Sequence, residues 1–173
     1  MKFLSKIKWA YYRFYKSPEA YARFLGAKIG DKCNIISRNF PSESYLITIG
    51  NNVAVTSGVY MHTHGGSRVA RHIYSDFDVF GKIVVEDNVY IGTGAQIMPG
   101  VTIGAGALVA AGSIVTKSVP KGMVVAGNPA RVICCVEDYI KRNLPYNLNT
   151  KELSGKDKRK YLLSLTDDRF IRK

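Results

Sequence analysis

His62 and His64 stand one residue apart in VYMHTHGG, residues 59–66, and the polar stretch SRVARHIYSDFDVFGK follows them. They are two of the chain's three histidines. A neutral imidazole, with an unperturbed pKa of about 6.5, accepts a proton from a hydroxyl near neutral pH. That chemistry suits a general base for attack of an alcohol on an activated carbonyl. The tetrahedral oxyanion would need donors close by, and backbone N–H groups are the usual source. Asp76 and Asp78 in the same stretch are candidates to orient an imidazole or to hold an acceptor hydroxyl. His72 has no motif around it and reads as a loop residue.

These residues interrupt a very regular chain. From Val85 the sequence runs VEDNVY, IGTGAQ, IMPGVT, IGAGAL, VAAGSI, VTKSVP. An aliphatic residue recurs every sixth position, at Val85, Ile91, Ile97, Ile103, Val109 and Val115. A small or branched residue follows each by four, at Val89, Ala95, Val101, Ala107, Ser113 and Val119. The pattern also occurs upstream from Ile29, Ile49 and Val55, and it lapses over residues 61–82. A period of six fits neither an amphipathic helix nor alternating hairpins, and it points to a β-helix. Each hexapeptide supplies one short strand and one corner, with the aliphatic position facing inward. Gly, Asn and Asp sit at corners because the backbone needs permissive φ there. Three hexapeptides close a triangular coil, and stacked coils share one core.

The pattern [I/V]-G-x-x-[V/A]-x resembles that of the hexapeptide-repeat acyltransferases, and VTKSVPKGMVVAGNPARVI resembles the last coil and exit loop of their galactoside, maltose and polysaccharide O-acetyltransferase members. The likeness covers residues 29–133. It implies an all-β core, a left-handed parallel β-helix over residues 29–133 with one inserted active-site loop, 61–82. A basic N-terminal helical segment, 1–28, precedes it, and a helical, basic tail, 134–173, follows. THGG resembles the family's T-H-[D/G]-G form, which places the catalytic base on His64; His62 falls where the family is often apolar. The resemblance implies an acetyl-CoA co-substrate whose thiolate leaves well, so direct transfer needs no Ser or Cys nucleophile. Donor contacts carry over to Thr93 and Ala111 for the pantetheine arm, with Gly92 and Gly112 beside them. Thr116, Lys117 and Arg131 carry over for the adenosine end, and Tyr90 as an aromatic wall. NFPSESYLITIG resembles a segment of the polysaccharide subset, which makes Asn39, Glu43 and Tyr45, together with Asp78, candidates for the acceptor. Relatives are homotrimers with active sites between subunits, and no metal is expected.

Composition bounds the rest. The chain has 173 residues, 46% hydrophobic, enough for one domain with appendages. Its net charge is +12, from 25 Lys and Arg against 13 Asp and Glu, which attracts anions without choosing among them. About half of it sits in the first 28 residues, which hold seven bases and one acid. With Trp9, Tyr11, Tyr12 and Phe14, that leader reads as a cap on the β-helix or as a contact with an inner-membrane surface. Ser17-Pro18-Glu19 reads as a helix start and Gly26 as its stop. No signal peptide, membrane span or disulfide framework is legible, so the cytoplasm is the expected setting. The leading function is O-acetylation of a sugar hydroxyl in exopolysaccharide or lipopolysaccharide biosynthesis. N-acetylation of an amino sugar is its neighbour. A zinc hydratase of the carbonic anhydrase type would use three histidines, but none lies upstream here, and the rings of His62 and His64 are expected to point apart on a strand. A scaffold would not need Thr116, Lys117 and Arg131 together with His64. Nothing reads as a nucleic-acid motif.

Overall fold

The computed structural model describes residues 2–172. Met1 and Lys173, and the side chains of residues 2–5, which include Lys2, Phe3 and Leu4 of the basic leader, lie outside it. The chain forms two compact units, 1–136 and 137–173.

In the first unit the hexapeptides wind into a parallel β-helix of three sheets. One sheet stacks Lys28–Ile29, Ile47–Ile49, Ile83–Val85 and Thr102–Ile103. The second stacks Asn34–Ile35, Ala54–Val55, Tyr90–Ile91, Leu108–Val109 and Met123–Gly127, and the third Tyr60–Met61, Gln96–Ile97 and Ile114–Val115. Val85 pairs with Ile103, eighteen residues on, so a coil is three hexapeptides. Ile49 pairs with Val85, thirty-six residues on. The interruption after Met61 therefore takes up one coil's length and leaves the stacking register intact.

The six aliphatic positions from Val85 to Val115 are at most 1% exposed, and the position four residues after each at most 4%. Burying each Val or Ile contributes roughly 1.5–3 kcal/mol, so the stacked rows dominate the fold's stability. The corners carry the expected conformations. Asn52, Asn88 and Gly106 form one column with φ of 54°, 60° and 68°, and Asn52 Nδ2 donates to Asn88 Oδ1 at 2.8 Å. At Gly92 the next coil comes so near that a Cβ would lie 2.5 Å from the Ala111 nitrogen.

Ser113 sits in the inward column where Ala95 sits one coil earlier. Its Oγ is buried without a hydrogen-bond partner. A buried unpaired hydroxyl costs about 1–3 kcal/mol. Ser113→Ala is expected to raise stability by about 1 kcal/mol, read as a higher urea midpoint with an unchanged slope. An equal or lower midpoint would show that the hydroxyl is satisfied.

Helix α1, Lys2–Tyr15, and helix α2, Pro18–Phe24, precede the first coil. The Ser17 side chain accepts from the Ala20 N–H at 3.1 Å, Pro18 opens α2, and Gly26 ends the turn at φ 99°, as expected. Ala22 of α2 enters the core of the β-helix. Tyr12 of α1 stacks on Phe24 at 4.3 Å, and Trp9 meets Tyr21 edge-on at 6.5 Å. Ile7, Tyr11, Phe14 and Tyr15 face solvent. After the last coil Met123–Gly127 pairs antiparallel with Ala130–Cys135, which runs two residues beyond Ile133.

The second unit begins within helix α4, Val136–Asn143; α3 is described with the loop below. It also contains α5, Gly155–Leu163, whose N-cap Ser154 accepts from the Asp157 N–H at 3.2 Å. Neither helix buries a side chain. No described helix is long and apolar enough to cross a membrane.

Candidate active site

Past Met61 the chain leaves the third sheet and makes a closed excursion. Its neck is an antiparallel bridge between His64 and Phe80, with the Gly81 N–H donating to the Thr63 carbonyl at 2.7 Å. Inside it, helix α3, Ser67–Ala70, is tied to the returning strand. Asp78 accepts from Ser67 Oγ at 2.7 Å and from the Val79 N–H at 3.2 Å, and pairs with Arg71 at 3.2 Å. Those partners, the Ser67 hydrogen bond above all, hold the Asp78 carboxyl below its ordinary range. A braced loop of this kind holds the residues at its neck in place. His64 is one of them, its ring 5.6 Å from that of Phe80.

The His64 Nδ1 lies 2.8 Å from Glu43 Oε2. A carboxylate only accepts hydrogen bonds, so Nδ1 donates to it, and in the neutral ring Nε2 is the nitrogen left to accept a proton. Glu43 also accepts from Ser42 Oγ at 2.8 Å and from Thr63 Oγ1 at 3.3 Å. Its carboxyl is held below the ordinary range, first by the Ser42 hydrogen bond, against partial desolvation, with a backbone N–H and His64 adding to it. The imidazole is about half exposed and opens on a cavity of about 560 Å³ walled by His62, Val79, Phe80, Met98 and Pro99. On the loop side, a hollow of about 410 Å³ is shared by His64, Glu43, Arg68, Arg71 and Asp78.

The expected divergence of His62 and His64 is overturned: both line the larger cavity. Residues two apart on an extended chain share a face. His62 Nε2 meets Gln96 Oε1 at 3.2 Å, and its ring stacks on Tyr60. His72 contacts the Val69 carbonyl within the loop. The carboxylate on the imidazole is Glu43, where the sequence suggested Asp76 or Asp78. The irregular segment before Ile47–Ile49 brings Glu43 to the neck from twenty-one residues upstream, a contact no local spacing announces. Phe80 and Met98, as cavity walls, carried no signal in the sequence.

Asn39 lies at a bridge to Tyr60, in a groove that His62 also lines. Tyr45 is exposed and sits against the Gly26 turn. Of the donor candidates, Gly92, Thr93, Ala111 and Gly112 meet at one corner of adjacent coils, where the Gly112 N–H donates to the Thr93 carbonyl at 2.8 Å. Tyr90 projects exposed from the second sheet beside Leu108. Lys117 and Arg131 share a cleft of about 290 Å³, and Thr116 precedes it, exposed. Neither cation has an acidic partner among the described residues.

The family description "Bacterial transferase hexapeptide (six repeats)" matches residues 82–117. Over 146 residues the chain is 44% identical to protein CapG of Staphylococcus aureus, covering 82% of this chain and 85% of that protein. The chain belongs to the hexapeptide-repeat acetyltransferases. Galactoside O-acetyltransferase of Escherichia coli is 37% identical over 114 residues, 61% of this chain and 56% of that enzyme. The solved structure of a galactoside acetyltransferase in complex with coenzyme A superposes with a TM-score of 0.60 at 27% identity, covering 80% of this chain and 82% of that one. The three parallel sheets and this likeness fit the left-handed β-helix of the hexapeptide acetyltransferases.

Proposed function

We propose that this hexapeptide-repeat acetyltransferase moves the acetyl group of acetyl-CoA directly to a sugar hydroxyl during polysaccharide biosynthesis, with His64 as general base. The observation that carries the reading is the 2.8 Å pair between His64 Nδ1 and Glu43, at the edge of a cavity large enough for a sugar ring. His64 Nε2 takes the hydroxyl proton as the oxygen attacks the thioester carbonyl. The imidazolium so formed faces the Glu43 carboxylate. The tetrahedral intermediate collapses, the C–S bond breaks, and the proton passes to the departing thiolate. The sum is one ester formed and one thioester broken.

Acetyl-CoA is anionic at its nucleotide end, and the cleft of Lys117 and Arg131 has the charge to receive it. Thr116 and Tyr90 flank this route, and the Gly92, Thr93, Ala111 and Gly112 corner is its proposed pantetheine track. Asn39, Glu43, Tyr45 and Asp78 remain the acceptor-side candidates, with Glu43 given to the imidazole. Donor and base lie in different cavities of one chain, which favours a homotrimer that joins them across subunits. A cytoplasmic setting follows from the donor.

Lys117→Ala combined with Arg131→Ala is expected to raise the acetyl-CoA dissociation constant by roughly tenfold to a hundredfold, the scale of two exposed charge-assisted contacts. Calorimetry at two salt concentrations checks it, and the wild-type affinity should fall with salt more steeply than the variant's. Unchanged binding places the nucleotide elsewhere. The acceptor reading is tested by thiol release from acetyl-CoA in the presence of sugars. The product should lose its acetyl group to hydroxylamine, as an ester does; a resistant product is an amide and makes the acceptor an amine.

A further inference from the structure

A second cavity adjoins the one at His64. It is a groove of about 470 Å³ between α1 and the third sheet, lined by Trp9, Arg13, Arg38, Asn39, Tyr60 and His62. His62 lines both cavities, so the two meet at its side chain. Tyr60 stacks on His62, with ring centroids 6.0 Å apart and planes at 11°. Trp9 and Tyr60 remain 43% and 49% exposed although they line a groove, so part of each ring is open to solvent.

The charge in this groove is one-sided. Arg13 Nη1 donates to the Arg38 carbonyl at 3.1 Å, and Arg38 donates to the carbonyls of Arg13 and Lys16. Neither guanidinium has a carboxylate partner among the described residues. Each has five N–H donors, and most are left over. The Asn39 side-chain amide has no protein partner among the described residues. Two partly buried guanidinium groups, an unpartnered amide and exposed aromatic rings have the chemistry to receive a ring that carries a negative charge.

We infer that this groove holds an acidic sugar unit, bearing a carboxylate or a phosphate, of the same acceptor whose hydroxyl reaches His64. The inference rests on the acetyltransferase reading above and narrows its substrate class to anionic glycans. Arg13 and Arg38 bind the anion, Asn39 binds a neighbouring hydroxyl, and Trp9 and Tyr60 face the ring. The chain then passes His62 to reach the base.

Trp9 is the chain's single tryptophan, so its fluorescence reports on this groove alone. Titration with glucuronate and with glucose 6-phosphate is expected to shift its emission saturably, while glucose and methyl glucuronate ester leave it unchanged. Response to glucuronate alone assigns the carboxylate; response to glucose 6-phosphate and to inorganic phosphate assigns the phosphate. Arg13→Gln and Asn39→Leu should each weaken binding about tenfold. Asn39→Leu removes no side-chain hydrogen bond of the fold, so its loss of binding does not arise from unfolding. Equal response to neutral and anionic sugars, no response to any of them, or unchanged affinity in both variants overturns the inference. His64→Ala should leave the titration intact. A working groove in an enzyme whose acetyl transfer ignores His64→Ala defeats the catalytic reading alone. Acetylation of an anionic glycan unaffected by Arg13→Gln defeats the groove alone.

Discussion

His64→Ala is expected to lower kcat/KM for acetyl transfer by about 10²–10⁴, the usual contribution of a positioned general base. The loss should fall on kcat. The imidazole acts on the hydroxyl proton as the C–O bond forms, an interaction stronger in the transition state than in the ground state. Acetyl-CoA binding should be unchanged, because the proposed donor groups lie at the Gly92–Ala111 corner and in the Lys117–Arg131 cleft. The fold should be unchanged as well. The side chain of His64 is exposed, and its backbone holds the loop neck to Phe80 whatever the side chain. Calorimetry for the donor and single-turnover rates for the transfer separate these effects. A variant that retains wild-type kcat would remove His64 from the chemistry and leave His62, on the same cavity, as the next base to test.

Glu43→Gln is expected to lower kcat by roughly tenfold to a hundredfold, the scale seen when the outer partner orienting a histidine is removed. The amide can still accept from Nδ1, so the tautomer survives; the negative charge that stabilises the imidazolium does not. Hydrogen bonds from Ser42 above all, with the backbone and His64 adding to them, hold the Glu43 carboxyl below its ordinary range. A purely structural Glu43 would lower stability and leave kcat in place. The stability that Glu43 contributes by ionising has the usual sign for a depressed carboxyl. It is present above the unfolded carboxyl's ordinary range and is lost as pH falls through the lowered folded value.

Much of the fold was legible. The six-residue period names every inward position from Val85 to Val119, and those residues fill the core. Periodicity reads easily because each inward residue meets its counterpart eighteen residues away, so one rule is written repeatedly into the chain. The lapse after Met61 was equally plain, and it marks the excursion whose neck carries His64. Capping at Ser17 and the stop at Gly26 are local chemistry and needed no tertiary context.

What did not show in the sequence was who meets whom across the interruptions. Glu43 read as an acceptor contact and Asp78 as a partner for the imidazole. The structure gives the imidazole to Glu43 and ties Asp78 to Ser67 and Arg71. Both segments fall outside the repeat, so no periodic rule fixes their register, and each contact depends on the path of a particular loop. The groove beside α1 is a stronger case. Trp9 and Arg13 lie far from Tyr60 in the chain and share no motif with it, yet all three line one groove between α1 and the third sheet. The sequence by itself determined the coil, its core and the break that carries His62 and His64, because a repeated local rule makes both the pattern and its lapse visible. Only the tertiary structure decided the carboxylate partner of the His64 imidazole and the charged groove nearby, because those rest on single long-range contacts that no repetition encodes.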